Sequence, residues 1–266
     1  MNQEQFKADL ERYSGFALQL RNAVLGNPRP SSSIASARRI QMLGSLFDAP
    51  TRYLEIGVWK GHTFSAVQFD HKDGVDPLPK CFARRRRGEF IHRMTSDAFF
   101  AQQSNQPPYD VVFLDGLHTF EQTARDLWNS LSTASSRTVW LIDDVVPANE
   151  AQAAESIASA FEMSSAAGSP SYAWTGDVYR LAFALDRMGE LLDYRTIVGS
   201  GREQLLVWIK SDDPAQLAAH GQEICAEVPR MSYGKAFPDG SDHLPPAFRP
   251  ASELDSLLAL RQSRTA

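Results

Sequence analysis

Four short apolar segments of the chain each lead into an acidic residue. The acids that end these segments are Glu55, Asp76, Asp115 and the adjacent pair Asp143 and Asp144. Carboxylates can accept hydrogen bonds from a pair of hydroxyl groups, or hold a hard cation such as Mg²⁺ through oxygen. His118 lies three residues after Asp115, and a neutral imidazole can take a proton from a hydroxyl. These residue types predict chemistry on a hydroxylated ligand.

Strand and helix patterns alternate from Thr51 onward, which is typical of βαβ units around a parallel sheet. YDVVFLD and TVWLIDD are continuous apolar runs, as expected of strands buried on both faces. Further on, LLDYRTIV and EQLLVWIK flank Gly199-Ser200-Gly201 and predict an antiparallel hairpin. The predicted fold is α/β and Rossmann-like, with a mostly parallel sheet, an antiparallel C-terminal hairpin and helices on both faces. In such a sheet ligands bind at the carboxyl ends of the strands, where the acids lie.

A glycine-containing loop follows the first predicted strand, with the sequence Glu55-Ile56-Gly57-Val58-Trp59-Lys60-Gly61. Asp76 follows at a distance that suits a ribose-binding acid. Trp59 occupies the position where the dinucleotide-binding motif has its second glycine, which lets the backbone approach a pyrophosphate. The bulky Trp59 and the nearby Glu55 favour instead a ligand with ribose, adenine and a cationic amino-acid part.

These motifs resemble those of class I S-adenosylmethionine (SAM)-dependent methyltransferases. The resemblance narrows along the chain, through the segments Asp115-Gly116-Leu117-His118, Ile142-Asp143-Asp144-x-x-Pro147 and Trp174-Thr175-Gly176-Asp177-Val178-Tyr179-Arg180. Their order is similar to that in the branch containing macrolide-sugar O-methyltransferases of the tylosin and mycinamicin type. The resemblance covers about residues 50–210 and implies SAM as cofactor and a hydroxyl as methyl acceptor.

The resemblance also implies which residues bind the cofactor: Glu55, Gly57, Val58, Trp59, Gly61, Asp76, Ser96, Asp97 and Asp115. The glycine loop would shape the methionine pocket, and Glu55 would orient the loop and attract the ligand ammonium. Asp76 would accept both ribose hydroxyls. Ser96 and Asp97 match the position that holds the adenine amine, although a plain helix cap is the alternative for this pair.

Asp115, Asp143 and Asp144 are the predicted metal ligands. Their strands are expected to be neighbours, roughly 5 Å apart, so the three carboxylates would repel one another unless protons or a cation relieve them. Oxygen ligands suit Mg²⁺, and the related sugar methyltransferases bind magnesium through this arrangement. Both adjacent aspartates reach one ion only if the strand ends between them; the alternative is that one of them caps a helix after Pro147.

His118 is the predicted catalytic base, at the position where the resembling family places its proposed base. The alternative is a histidine that caps the next helix beside Thr119, and His62 has a weaker claim to the same cavity. The segment Trp174–Arg180 could stack on an acceptor ring or grip a polar acceptor. Alternatively, its aromatic residues belong to the core and Asp177 caps a helix.

Composition describes a globular protein. The 266 residues carry 27 basic and 32 acidic side chains, a net charge of −5 that argues against a general nucleic-acid binder. Cys81 and Cys225 are the only cysteines, which indicates a reducing compartment and excludes a cysteine-built zinc site. The N-terminus does not resemble a signal peptide, and no apolar run approaches the ~20 residues of a membrane span. We therefore expect a cytoplasmic enzyme without a membrane partner.

Three regions follow from these patterns. Residues 1–49 are expected to be a helical N-terminal extension, and residues 50–210 the SAM-binding methyltransferase domain. Residues 211–266 are expected to form an irregular, proline-rich extension with one or two helices, packed on the core. The run Arg84–Arg87 is interpreted as a solvated helix face, with a site for an anionic substrate group as the alternative.

The predicted function is SAM- and Mg²⁺-dependent transfer of a methyl group to a hydroxyl of a sugar or glycoconjugate, by a protein that forms a homo-oligomer such as a dimer. A catechol-type O-methyltransferase acting on an aromatic diol is the nearest alternative. A dinucleotide-dependent oxidoreductase is disfavoured by Trp59. A non-catalytic SAM-binding protein is disfavoured by the acids and histidine that could do chemistry, although a fold alone does not prove activity.

Overall fold

A single mixed sheet forms the centre of the computed structural model, which describes residues 32–49, 51–80, 87–103, 106–199, 201–210 and 213–264. Its strands run in the order β3-β2-β1-β4-β5-β7-β6-β8. The strands are β1 (Arg52–Ile56), β2 (His71–Val75), β3 (Glu89–His92), β4 (Val111–Leu114), β5 (Val139–Ile142), β6 (Leu192–Val198), β7 (Gln204–Ile209) and β8 (Pro250–Ser252). Strands β1 to β5 are parallel, β7 is antiparallel to both β5 and β6, and β8 is parallel to β6. The predicted mixed sheet with its hairpin is confirmed.

Helices cover both faces of the sheet. They are α1 (Ser32–Gly44), α2 (His62–Ala66), α3 (Ser96–Phe100), α4 (Phe120–Ser130), α5 (Ile157–Ala166), α6 (Arg180–Asp186), α7 (Pro214–Glu227), α8 (Tyr233–Ala236) and α9 (Glu253–Ser263). Short 3₁₀ turns lie at Leu131–Thr133 and Pro246–Phe248. None of the described helices is long and apolar enough to cross a membrane.

Two apolar layers hold the central strands, because successive side chains of a strand point to opposite faces. Val112 and Leu114 of β4 pack in one layer with α4, α6 and α7, whereas Val111 and Phe113 pack in the other with α1, α2 and α9. All four residues of β4 and all four of β5 are buried, as their continuous apolar sequence predicted. This two-sided packing fixes the carboxyl ends of the parallel strands along one edge.

The C-terminal region is more regular than predicted. It contributes three helices and the edge strand β8, rather than one or two helices in an irregular segment. Leu217 and Ile224 of α7 enter the main apolar layer, and Leu257 and Leu260 of α9 enter the other. The prolines that suggested irregularity cluster between α8 and β8, where they interrupt only a short stretch.

Several predicted boundaries shift. The pattern over Thr63–Phe69 predicts a helix, but α2 ends at Ala66, since Val67 already has an extended backbone. The segment Asp73–Pro77 predicts a short strand, but β2 begins earlier, at His71. The apolar spacing from Phe6 to Val24 predicts a first N-terminal helix, and this segment lies outside the described residues, as do Cys81 and Arg84–Arg86.

Candidate active site

A cavity of about 630 Å³ opens at the carboxyl ends of the parallel strands. The predicted site residues that line it are Gly57, Trp59, Asp76, Ser96, Asp97, Asp115, His118, Asp143 and Asp144. Residues that line it without having been predicted include Gln122, Asp126, Ile157, Tyr172 and Arg202. The location agrees with the rule for open α/β sheets, in which ligands bind outside the strand ends.

The glycine loop lies tightly against the end of β4. Gly57 has φ +91°, and a side chain there would begin 1.8 Å from the carbonyl oxygen of Asp115. Gly61 also has a left-handed backbone, at the N-terminal cap of α2. Trp59 adopts φ 46° and is 52% exposed, with the Lys80 ammonium 3.9 Å from the centre of its ring. The loop therefore presents backbone on one side of the cavity and an aromatic face at its mouth.

Asp76 is held rigidly at the end of β2. Its two carboxylate oxygens accept hydrogen bonds from the backbone N–H groups of Trp59 and Leu78, at 2.8 and 2.7 Å. Each oxygen keeps a further lone pair, so the carboxylate can also accept two hydroxyl groups from the cavity. The geometry suits a ribose acceptor.

Glu55 lies beneath the loop and is almost fully buried. Burial raises the pKa of its carboxyl to about 8, against the hydrogen bond that the Tyr53 hydroxyl donates to it at 2.6 Å. Glu55, Val58 and Gly61 are not among the residues that line the cavity. In this structure the Glu55 carboxylate is hydrogen-bonded to Tyr53 at the base of the loop, and its role toward a ligand stays a prediction.

The far end of the cavity contains a polar network on α3 and α4. The Gln122 amide donates to Ser96 Oγ at 3.1 Å and to Asp126 Oδ1 at 2.9 Å. Thr95 caps α3 by accepting from the Ala98 N–H, so the alternative of Ser96 and Asp97 as the cap is wrong. Asp126 also lines the cavity, and burial raises the pKa of its carboxyl to about 6. Its sequence signal was an acid on the buried face of an otherwise apolar helix pattern.

Asp115, Asp143 and Asp144 converge as predicted, because β4 and β5 pair in parallel register. Strand β5 ends at Ile142 and Asp144 has φ 60°, which turns the second of the adjacent aspartates away from strand geometry. Burial and the other two carboxylates raise the pKa of Asp115 well above its ordinary value, and burial with Asp144 raises that of Asp143 to about 6. The cluster is electrostatically strained without a positive charge.

The two adjacent aspartates have different roles. Asp143 Oδ1 accepts a hydrogen bond from the Asp144 N–H at 2.9 Å. The cluster with metal-ligand spacing consists of Asp115, His118 and Asp144, with one atom from each within 4.8 Å of the others. No helix begins directly after Pro147, and Ser156 caps the next helix, α5. The alternative of an aspartate as helix cap is therefore wrong.

His118 lies at the centre of the site. Its Nδ1 is 2.5 Å from Asp144 Oδ2 and its Nε2 is 4.0 Å from Asp115 Oδ1. The ring stacks on Trp174, with centroids 5.4 Å apart and planes 16° from parallel. Burial disfavours the protonated form, but the hydrogen bond and charge of Asp144 outweigh it and raise the pKa of His118. Thr119, rather than His118, caps α4 by accepting from the Gln122 N–H.

In the segment Trp174–Arg180, one aromatic residue lines the cavity and the other is part of the core. Trp174 lines the cavity, and its indole N–H donates to the Ala154 carbonyl at 2.7 Å. Tyr179 is buried in the core, as the alternative interpretation held. Asp177 accepts from the N–H of Phe120 at the start of α4 and from Nη1 of Arg180 in α6, but Tyr179 rather than Asp177 is the N-cap residue of α6.

Arg202 is the cavity residue with the weakest signal in the sequence. It follows the glycines of the β6–β7 turn, and its Nη1 lies 2.6 Å from Asp144 Oδ1. Its proximity results from the sheet order, since β7 pairs with β5 and brings the turn beside the acid cluster. A basic residue in a hairpin turn carries no such signal in the sequence.

Comparison with protein families matches the part of the chain that carries Asp76, His118 and the three clustered aspartates. Residues 54–145, from within β1 to just beyond β5, are similar to a family model described as a methyltransferase domain. No curated protein matches the chain by sequence.

Solved structures with a similar arrangement include three methyltransferases. An O-methyltransferase from Bacillus cereus, in complex with S-adenosylhomocysteine (SAH), is 14% identical to this chain and has a TM-score of 0.44. The match covers 76% of this chain and 90% of that one. SAH-bound PaMTH1 from Podospora anserina is 14% identical with a TM-score of 0.47, over 79% and 97%. The O-methyltransferase TomG from Streptomyces achromogenes, involved in tomaymycin synthesis and in complex with SAM, is 16% identical with a TM-score of 0.42, over 79% and 99%.

Proposed function

We propose that this protein is a SAM-dependent O-methyltransferase that acts on a hydroxyl of a small molecule. One observation carries the proposal: a single cavity of the methyltransferase domain contains both the rigid Asp76 carboxylate and the oriented His118 imidazole. The first suits a ribose, and the second suits a hydroxyl that must lose its proton. A protein that only bound SAM would need the first feature alone.

The cofactor would occupy the cavity from the glycine loop to α4. Asp76 would accept both ribose hydroxyls, and the backbone of Gly57 would border the methionine part. Ser96, Asp97 and the newly found Asp126 would face the adenine end, where a protonated Asp126 can also donate a hydrogen bond. Glu55 would act through the loop that it supports.

Methyl transfer would proceed by direct displacement. Asp144 holds Nδ1 of His118, so Nε2 would be the proton acceptor. As the acceptor oxygen bonds to the methyl carbon, the carbon–sulfur bond breaks, the hydroxyl proton passes to Nε2, and SAM becomes SAH. Trp174 and Asp144 fix the ring, so catalysis would consist largely of positioning and charge control.

The acid cluster also fits a divalent cation. Asp115, Asp143 and Asp144 are the proposed Mg²⁺ ligands, because hard oxygen donors meet where their mutual repulsion raises the pKa values of Asp115 and Asp143. Asp115 and Asp144 are the better placed of the three, since Asp143 is engaged by the Asp144 N–H. When bound, such a cation would lower the pKa of an acceptor hydroxyl.

The rim of the cavity favours an acceptor with an aromatic or apolar body. Tyr172, Leu117 and Ile157 line the cavity and are 68%, 59% and 49% exposed. Tyr172 stacks on Phe161 with centroids 4.3 Å apart. Exposed apolar side chains gathered around a polar site are typical of ligand binding. This observation favours the aromatic-diol alternative over a bare sugar, although a glycoconjugate with an apolar body would use the same rim.

The test is transfer of labelled methyl from SAM to a panel of catechol-type diols and of glycosides with and without apolar aglycones. We expect methylation of a member with an apolar body, a higher KM in Tyr172→Ala, and no change in Tyr233→Ala, whose ring packs on Phe237 away from the cavity. Methylation confined to simple glycosides would contradict the proposal that the apolar rim binds the body of the acceptor. Absence of SAH binding would contradict the proposed function itself.

A further inference from the structure

We propose that Arg202 is a resident counter-ion of the acid cluster, and that a divalent cation must displace its guanidinium from Asp144 in order to bind. This inference rests on the metal site proposed above and concerns how that site is filled. It assigns Arg202 a role in controlling metal affinity.

Asp144 already has a cationic or hydrogen-bonding partner on each oxygen. Arg202 Nη1 lies 2.6 Å from Oδ1, and His118 Nδ1 lies 2.5 Å from Oδ2. The Asp144 side chain is only 3% exposed, so water cannot easily replace either partner. A cation that used Oδ1 of Asp144 would meet the guanidinium at close range, and two positive charges there would repel each other.

The Arg202 side chain can leave without rearrangement of the fold. Its backbone is fixed, because Arg39 donates from Nη1 to the Arg202 carbonyl at 2.7 Å and also to Gln204 Oε1 at 2.7 Å. The side chain itself is 39% exposed, so its guanidinium has a path to solvent. A fixed turn that carries a partly exposed charged side chain is suited to reversible exchange.

The charges of the site explain why an exchange is favourable. Carboxylate oxygens of Asp115 and Asp144 lie within 4.8 Å of each other and Asp143 lines the same cavity, so the single guanidinium of Arg202 compensates only part of their repulsion. A divalent cation brings twice that charge and can contact more than one carboxylate at once. Without a metal, Arg202 would reduce the repulsion between the carboxylates. It would at the same time weaken metal binding, because the cation has to compete with the guanidinium.

The experiment measures binding of Mn²⁺, as an EPR-detectable probe, to the full-length protein without acceptor. Wild type is compared with Arg202→Gln and with Arg195→Gln, whose guanidinium pairs with Asp193 on β6 outside the cavity. We expect Arg202→Gln to bind Mn²⁺ at least about tenfold more tightly, because a like charge has been removed. Arg195→Gln should match wild type.

Thermal unfolding provides a second readout. Arg202→Gln should melt below wild type in EDTA and recover more than wild type on addition of Mn²⁺, because a cation replaces the lost charge. Equal or weaker Mn²⁺ binding in Arg202→Gln would overturn the inference while leaving the metal site in place. Absence of Mn²⁺ binding in every variant would overturn both the inference and the metal site, whereas SAH binding separately tests the methyltransferase assignment.

Discussion

His118 and Asp144 form the pair on which the proposed chemistry depends. Asp144 orients one ring nitrogen, and Trp174 holds the plane of the ring. The sequence placed His118 near the acids but could not distinguish a base from a helix cap. The structure removes the cap alternative, because Thr119 supplies the cap, and the role of His118 as base stays a prediction.

Replacement of His118 by alanine should remove the base and leave cofactor binding intact. We expect a loss of about 10²–10⁴ in the rate of methyl transfer, the usual share of general-base catalysis, with little change in the affinity for SAH. His220→Ala, at an exposed position on α7, is the control. A nearly normal rate in His118→Ala would transfer the role to another residue, and His62 would be tested next.

Asp126 should make stability depend on pH. Burial raises its folded pKa to about 6 from 3.8, so the unfolded state releases its proton first and stability falls as pH rises from about 4 to 6. Asp126→Asn should remove this loss, and its free energy of unfolding relative to wild type should increase by up to about 3 kcal/mol across that window.

Chemical denaturation of both proteins from pH 4 to pH 8 measures this difference. Asp239→Asn, at an exposed position, should show a flat difference from wild type over the same range. A flat difference for Asp126→Asn as well would show that the Asp126 carboxyl is not desolvated.

At the scale of elements, the sequence predicted best where the pattern was governed by local burial. Strands β4 and β5 were evident because both faces are apolar. The start of β2 was hidden, because Lys72 is buried there by an ion pair with Glu89 and by the carbonyls of Phe64 and Val67, all contributed by other elements. Arg202 was hidden for the same reason, since only the pairing of β7 with β5 brings its turn to the site.

The glycine loop offers a prediction at this scale. Gly57→Ala should destabilise the protein by more than about 2 kcal/mol and weaken SAH binding, because its methyl group would begin 1.8 Å from the Asp115 carbonyl. Gly168→Ala is a matched control, with φ +77° but nothing within 4 Å, and should cost only the ~1 kcal/mol of a left-handed backbone. Equal losses in the two variants, measured by chemical denaturation, would show that close approach of the loop to β4 is unimportant.

At the scale of the whole molecule, the mixed sheet brings the proposed cofactor residues and the acid cluster to one edge. Asp76 follows β2, near one end of the row of parallel strands, and Asp144 follows β5, at the other end of that row. The C-terminal region completes the apolar layers behind this edge through α7 and α9. The α/β class was predictable from the alternation of patterns, whereas the regular structure of the last segment depends on packing against the sheet.

The proposed cofactor and metal residues share only Asp115, which predicts separable effects of a chelator. EDTA should abolish methyl transfer and leave SAH binding largely intact, because Asp76 and the adenine end lie apart from the carboxylates that would hold the ion. Restoration of the rate by added Mg²⁺ is the control for nonspecific inhibition. Full activity in EDTA would remove the metal from the mechanism and leave the pairing of His118 with Asp144 to act alone.

The central claim is that this cavity binds SAM through Asp76, and calorimetric titration with SAH tests it most directly. We predict that wild type binds SAH at one site per chain, that Asp239→Ala binds it equally well, and that Asp76→Ala binds it far more weakly because the ribose acceptor is lost. NAD should produce no binding heat. Unchanged SAH affinity in Asp76→Ala, or binding of NAD in place of SAH, would contradict the account.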